Sequence, residues 1–409
     1  MTDLESHVDV HGRLPDLRQR APRQIIDDVR QSGLRGHGGA SFPVARKLEA
    51  VASRRGPRVV VVNGTEGEPA SKKDRVLLRE LPHLVIDGAV VAAHAIGARE
   101  AIIAVPQGHG RTAESLRLAV GQRSKTGRRG ELRFELVGVP ERYLAGQESA
   151  LVNLLSGGPA RPTFGARPFE HGVRQRPTLV QNVETLAHLA LIARHGPTWF
   201  RQLGTAEDPG SALVTVSGAV AHPGVYEIEH GWPLSDLLDS ARVTDDLSAV
   251  LIGGYSGSWL PAAQIPRVLL SPRHLAEHAA SLGAGVIVAL EASVCPVAET
   301  ARIADYFAAQ GAGQCGPCVS GLGAIADTVV RLASGIAPAT AHRDLERWAS
   351  DLPGRGACQH PDGAARFIAS ALRVFADDFH HHAQRGRCAR CSHPPVLSIP
   401  RPNPLTSRR

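Results

Sequence analysis

The apolar positions of the chain fall into three successive patterns. The first begins with a compact β-branched run, Arg58-Val-Val-Val-Val62, which fits a buried strand. A helix at about 83–98, a strand at about 100–105, a helix at about 111–121 and a strand near 132–138 follow. Strands alternating with helices of this length imply right-handed crossovers and a mostly parallel α/β sheet. Ile25 to Ser32 reads as a short helix ending at Gly33, and residues 1 to about 20 read as a polar arm. Glu148–Leu155 and Asn182–His195 read as the last helices of this unit, joined by a Pro-, Gly- and Arg-rich loop at 157–178. A loop of that length is usually functional.

The second pattern starts after Pro209. Ala212–Ser217 is a strand, and a Pro-Gly turn leads into a partner strand, Gly224-Val-Tyr-Glu-Ile. A short helix at 233–241 and strands at 250–253 and 286–290 complete a small α+β unit. From Ala298 the period is helical, with helices expected at 298–309, 319–333, 342–350 and 363–383. Such a bundle can hold a metal cluster. The predicted boundaries are therefore 1–205, 210–290, 291–385 and a tail over 386–409. No repeat of the solenoid type is present.

Composition narrows the function. Of 409 residues, 43% are hydrophobic and 21% charged, as in ordinary globular chains. No apolar run reaches the roughly 18–20 residues needed to cross a bilayer; the best stretch, His83–Ala98, is broken by Asp87 and His94. The first residues carry no secretory pattern, which points to the cytoplasm. The net charge is +7, but aromatics are only 4% and the arginines are scattered, against nucleic-acid binding. Lysine is confined to Lys47, Lys72, Lys73 and Lys125. A basic face suits docking of an acidic electron-carrier protein.

Four segments carry candidate chemistry. In the loop Gly33–Phe42, Gly36, Gly38 and Gly39 crowd backbone N–H groups without Cβ atoms, allowing close approach of a flat or anionic ligand. Its spacing is not the dinucleotide fingerprint. Asn63-Gly-Thr-Glu-Gly-Glu-Pro follows the buried strand, so Asn63, Glu66 and Glu68 fall at the carboxyl edge of the sheet, where α/β folds bind ligands. Gly146-Gln-Glu-Ser-Ala opens a helix, with Glu148 at its positive end. Gln181-Asn182-Val-Glu-Thr also opens a helix, whose N–H groups suit a phosphate.

Taken in order, these four motifs resemble the NADH- and FMN-binding flavoprotein (F) subunit of respiratory complex I and its relatives in hydrogenases and formate dehydrogenases. The likeness runs from about residue 24 to about 380. Ser-Gly-Ala-Val-x-x-Pro-Gly-Val-Tyr-Glu in the middle unit resembles that family's soluble-ligand-binding β-grasp domain. The form Asn-Gly-Thr-Glu-Gly-Glu-Pro also leans toward the C subunit of Rnf-type complexes. The resemblance implies that Gly36, Gly38 and Gly39 line FMN and that Asn63 and Asn182 meet its phosphate or ribityl chain. It places Phe42 near the nicotinamide or adenine, Lys47, Glu68 and Glu148 on NADH, Glu66 beside the flavin, and Gly146 at the cofactor turn. Three positions depart from the family: His37 for Arg, Thr65 for Asp, and Gln147 for the first Glu of Gly-Glu-Glu.

All six cysteines lie beyond residue 290. In a chain of this kind such clustering argues for metal or redox chemistry. The family carries Ser-Cys-Gly-x-Cys-x-Pro-Cys plus one distant Cys for a 4Fe–4S cluster. By that resemblance Cys315, Cys318 and Cys358 are ligands, but Ala312 stands in the first position. Cys295 is the expected replacement, because it precedes the helix that leads back to this loop. Cys388 and Cys391 offer a separate zinc site, a redox dithiol or substitute ligands, with His380, His381 and His382 beside them. The resulting expectation is an FMN enzyme that oxidises NADH and passes electrons through the cluster to a ferredoxin or a membrane reductase partner, itself cytoplasmic or peripheral to a membrane complex. An Rnf-like adaptor and a binding module that has lost its flavin are the alternatives.

Overall fold

The computed structural model describes residues 2–124, 132–165, 167–338 and 340–400. Lys125 and the last nine residues of the predicted tail lie outside these.

The first unit is built on four parallel strands: β1 (Val59–Asn63), β2 (Glu100–Pro106), β3 (Arg133–Val139) and β4 (Thr178–Asn182), in the order β3-β2-β1-β4. All three pairings are parallel. In β1 the valines alternate between two cores. Val60 and Val62 pack with the helices Pro22–Ser32, Val44–Ala52 and Pro82–Ile96, while Val59 and Val61 pack with Glu148–Leu155. That burial on both faces is why the run has no polar interruption. The long loop expected over 157–178 gives way to β4, and the final helix starts at Val183 with Asn182 as its cap. Thr-Leu-Val-Gln-Asn reads as a strand only beside β1.

The predicted polar arm is instead a docked helix, Leu4–His11. His7 is buried and its Nε2 lies 2.9 Å from Oδ2 of Asp87. Asp87 also pairs with Arg123 and Arg194, and despite burial the His7 hydrogen bond and these two arginines hold its carboxyl well below the usual range. This network accounts for the aspartate inside the apolar helix. An arm held by polar contacts of His7 and Gly12 with Asp87 and Arg194 has no hydrophobic period to reveal it.

The middle unit has strands β5 (Ser211–Gly218), β6 (Gly224–Glu229), β7 (Trp232–Pro233), β8 (Leu247–Ile252), β9 (Ser258–Pro261), β10 (Leu269–Leu270) and β11 (Val286–Glu291). Five form a mixed sheet in the order β6-β5-β11-β8-β9, and β7 and β10 pair separately. One face, with Val250, Ile252, Ile287 and Ala289, packs on the helix Leu234–Ser240. The other, with Leu251, Val288, Leu290 and Trp259, shares a core with the C-terminal helices. Those helices are Pro296–Gln310, Leu322–Ser334, Ala341–Asp351, His360–Val374 and Ala376–Arg385. The single helix expected over 363–383 breaks at Phe375. Beyond it the tail is pinned rather than free. Leu397 is buried, and the N–H groups of Val396 and Leu397 donate to Glu299 at 3.2 and 2.9 Å.

Candidate flavin, nucleotide and iron–sulfur sites

Asn63 and Asn182 close β1 and β4 and stand in register as neighbours at the carboxyl edge of the sheet. Asn63 donates from Nδ2 to Gly146 O at 2.9 Å and accepts from the Thr65 hydroxyl at 2.7 Å. Thr65, which departs from the family pattern, thus holds Asn63 together with Gly146. A Cβ on Gly146 would lie 2.1 Å from the Thr65 hydroxyl, so only glycine fits this turn. Gln147 likewise has local work: its Oε1 caps the helix Glu148–Leu155 by accepting from Ala150 N at 2.9 Å.

The glycine loop folds over Asn182. A Cβ on Gly38 would sit 3.4 Å from the Asn182 Cβ, and Gly39 has φ +104°, a conformation that other residues adopt only under strain. The loop is held at its base by Gly36 N–H donating to Phe42 O at 2.9 Å, and by His37 N–H donating to the Thr185 hydroxyl at 2.9 Å. Phe42 is 46% exposed at the rim. Beside the loop, Lys47 Nζ lies 3.0 Å from Glu148 Oε1 and 3.1 Å from Val180 O. The structure therefore gathers Gly36, Gly38, Gly39, Lys47, Asn63, Gly146, Glu148 and Asn182 at one edge. At that edge Gln181 keeps a buried side-chain N–H group without a protein partner. A glycine cradle and an unused buried donor fit a flat, phosphate-bearing ligand such as FMN.

Beneath the cradle lies a buried charge network that residue patterns did not reveal. Lys73 Nζ pairs with Asp74 Oδ1 at 2.7 Å and Glu184 Oε2 at 2.8 Å. Glu184 also meets His37 Nδ1 at 3.1 Å and accepts from Leu213 N at 2.7 Å. Burial opposes the charge on Glu184, yet His37 and Lys73 hold its carboxyl well below the usual range. Burial raises Asp74 to about 6 against the pull of Lys73, and lowers His188 to about 3. His37, Glu184 and His188 could together ligate a cation, but Lys73 already supplies one there. Glu184 and Thr185 belong to the Asn-Val-Glu-Thr motif, which was the available signal for both.

Glu66 and Glu68 turn to different tasks. Glu66, at φ 37°, accepts from the Ser71 hydroxyl at 2.7 Å, Asp74 N at 2.9 Å and Arg75 N at 3.1 Å, closing the N-terminus of the helix Lys73–Glu80. Glu68 is buried. It accepts from Tyr255 N at 3.0 Å and stands 3.5 Å from the Tyr143 hydroxyl, and burial pushes its pKa up to about 7. Tyr143 and Tyr255 were not legible as site residues, because they reach Glu68 from distant segments.

In the bundle, Cys315 and Cys318 lie on the loop between the helices Pro296–Gln310 and Leu322–Ser334, and Cys358 stands just before the helix His360–Val374. Ala312 stands at this loop, and its methyl group offers no ligand. The expected substitute is elsewhere: Cys295 packs against His382, Cys388 and Cys391, with Sγ 3.5 Å from His382 Nε2 and 3.4 Å from Cys391 Sγ. It caps the start of the helix Pro296–Gln310, whereas the Cys315 loop follows that helix's far end. The helix separates the two groups by its length, a distance that chain order does not show. The donor set thus fits a cluster held by three thiolates.

Residues 29–191 match the Nuo51 FMN-binding domain, 213–242 the SLBB domain, and 298–382 the NADH-ubiquinone oxidoreductase-F iron–sulfur binding region. The chain is 30% identical to an F-type NADH-quinone oxidoreductase component of Rhizobium meliloti, covering 91% of each. It is 31% identical to NADH dehydrogenase (ubiquinone) flavoprotein 1 of Dictyostelium discoideum, covering 86% of this chain and 77% of that one. The chain belongs to the family of complex I F-type flavoproteins. Among solved structures it superposes on a chain of an NAD+-reducing NiFe-hydrogenase in the H2-reduced state, with TM-score 0.84 and 30% identity. That match covers 94% of this chain and 66% of the hydrogenase chain. As an F-type flavoprotein, the chain carries an FMN-binding domain, an SLBB domain and an iron–sulfur binding region. No described helix is long and apolar enough to cross a membrane.

Proposed function

We propose that this F-type flavoprotein oxidises NADH at FMN held under the Gly36–Gly39 loop and delivers the electrons to a protein acceptor by way of the iron–sulfur region. The register of Asn63 and Asn182 beneath that loop carries the reading, because it sets two amide side chains and a glycine cradle at the carboxyl edge of a parallel sheet. FMN bound there supplies hydride acceptance from nicotinamide and single-electron release.

The chain's own residues bind and orient. Gly36, Gly38 and Gly39, without Cβ atoms, let the ligand approach the loop backbone closely, and Asn63 and Asn182 sit where a phosphate or ribityl chain would end. Lys47 and Glu148 form a polar pair at the open rim for the nucleotide, with Phe42 as an exposed ring to stack on it. Glu66 keeps the Asn63–Glu68 loop closed by capping the next helix, and Glu68 fixes its outer end against Tyr255. Cys315, Cys318 and Cys358 would hold the cluster. A basic chain with net charge +7 suits an acidic acceptor: a ferredoxin, another iron–sulfur protein or a peripheral contact on a membrane reductase.

The test is an absorption spectrum of anaerobically purified protein before and after NADH. Flavin bands and a broad iron–sulfur shoulder that both bleach are expected. A protein that shows no flavin bands even after FMN is added would overturn the reading.

A further inference from the structure

We infer that Cys295, His382, Cys388 and Cys391 form a zinc site of the three-cysteine, one-histidine type that fastens the C-terminal tail to the body of the protein.

The four ligand atoms all lie within 4.8 Å of one another. Cys295 Sγ is 3.5 Å from His382 Nε2 and 3.4 Å from Cys391 Sγ. Cys391 Sγ is 3.7 Å from His382 Nε2 and 3.7 Å from Cys388 Sγ. In tetrahedral coordination, with Zn–S about 2.3 Å and Zn–N about 2.0–2.1 Å, sulfurs stand about 3.7 Å apart and sulfur and nitrogen about 3.5 Å. These four spacings fall within about 0.3 Å of the corresponding edges of that tetrahedron. They are too long for a disulfide, whose sulfurs are about 2.05 Å apart. They are too short for a 4Fe–4S cluster, in which each thiolate binds a different iron.

The histidine is prepared for the role. His382 Nδ1 lies 3.0 Å from Leu332 O. With Nδ1–H donating to that carbonyl, Nε2 presents its lone pair to the sulfurs, the supporting arrangement usual for a zinc-bound histidine. Ala298 N–H donates to Cys295 Sγ at 3.4 Å, which fixes the thiol at the start of that helix. Binding releases the three thiol protons to solvent and leaves three thiolates around one dication, a net charge of about −1. Arg390, between the tail cysteines, pairs with Asp378 and donates to Ala292 O at 3.3 Å, which sets a cation beside the site.

The ligands come from the head of one helix, the last helix and the tail, so one ion joins three segments. Past Cys391 the tail continues along the body, with Arg302 donating to Leu397 O at 2.8 Å and the Tyr255 hydroxyl donating to Ser398 O at 2.5 Å. Tyr255 is the residue whose N–H holds Glu68.

The test is elemental analysis of the full chain, purified without a histidine tag. About one zinc per chain is expected, in addition to iron. Cys391→Ser and His382→Ala should each lower zinc at least fivefold and leave iron unchanged, whereas Cys315→Ser should lower iron and leave zinc unchanged. Zinc at background in the wild type, or iron lost together with Cys391, would overturn the proposal. If the variants fail to fold, cobalt substitution of the wild type decides the matter. Visible ligand-field bands of a tetrahedral thiolate site support it, and an octahedral spectrum or no uptake rejects it.

Discussion

The backbone N–H of Tyr255 donates to the Glu68 carboxylate at 3.0 Å, and in that contact the middle unit grips the loop that follows β1. Gly254 makes the approach possible: a Cβ there would fall 2.7 Å from the Glu68 carboxylate. The loop bearing Asn63, Thr65, Glu66 and Glu68 is therefore held at one end by its own sheet and at the other by a different unit.

Glu68 gives a pH signature. Burial raises its pKa from 4.5 to about 7, so the native state binds the extra proton between those values. Its contribution to stability is complete below about 4.5 and is lost as pH rises through about 7, a swing of at most ~3 kcal/mol. Glu68→Gln should remove that loss, raising stability at pH 8 relative to wild type, while weakening NADH oxidation. Denaturant midpoints at pH 5 and pH 8 together with steady-state kinetics check both; unchanged NADH oxidation would mean that the grip of Tyr255 on Glu68 does not position the loop for turnover.

His188 acts in the opposite direction. Burial lowers it to about 3, so the unfolded chain takes up the proton first, and stability is lost as pH falls from about 6.5 toward 3. Asp74, raised to about 6, offsets part of this. His188→Leu should flatten the acid limb of the stability curve, read as unfolding midpoint against pH.

The Lys47–Glu148 pair is about a third exposed, so breaking it costs less than ~1 kcal/mol of stability. Lys47→Met should leave the melting temperature nearly unchanged and raise KM for NADH roughly tenfold, equivalent to about 1.4 kcal/mol. A KM within twofold of wild type would count against the rim assignment.

Gly39→Ala tests the cradle. The added methyl group meets nothing nearer than Gly283 O at 3.9 Å, so crowding is not the cost; the backbone at φ +104° is. A penalty of about 1–3 kcal/mol is expected, concentrated in the loop. The readout is flavin retained per chain after gel filtration, which should fall severalfold.

Ala312→Cys restores the family's first ligand at a loop where three thiols already converge. The wild type should lose iron on exposure to air, and the variant should keep it several times longer. Timed iron analysis of both proteins decides this.

Sequence alone determined whatever depends on neighbouring residues. Four valines in a row make a strand buried on both faces; clustered glycines make a close-approach loop; Cys-Gly-Pro-Cys marks a metal loop. Each motif requires a local backbone or a local chemistry, so it is legible without the fold. Tertiary structure decided the pairings. Thr178–Asn182 is a strand because β1 lies beside it, and the arm Leu4–His11 is docked by His7 reaching a buried aspartate and by Arg194 reaching Gly12 O. Cys295 could be assigned to either thiol group from sequence, since a thiol carries no directional preference and its partners lie 87 to 96 residues away. Packing of the first bundle helix on the last sets Cys295 beside His382, and so beside the tail rather than the cluster loop.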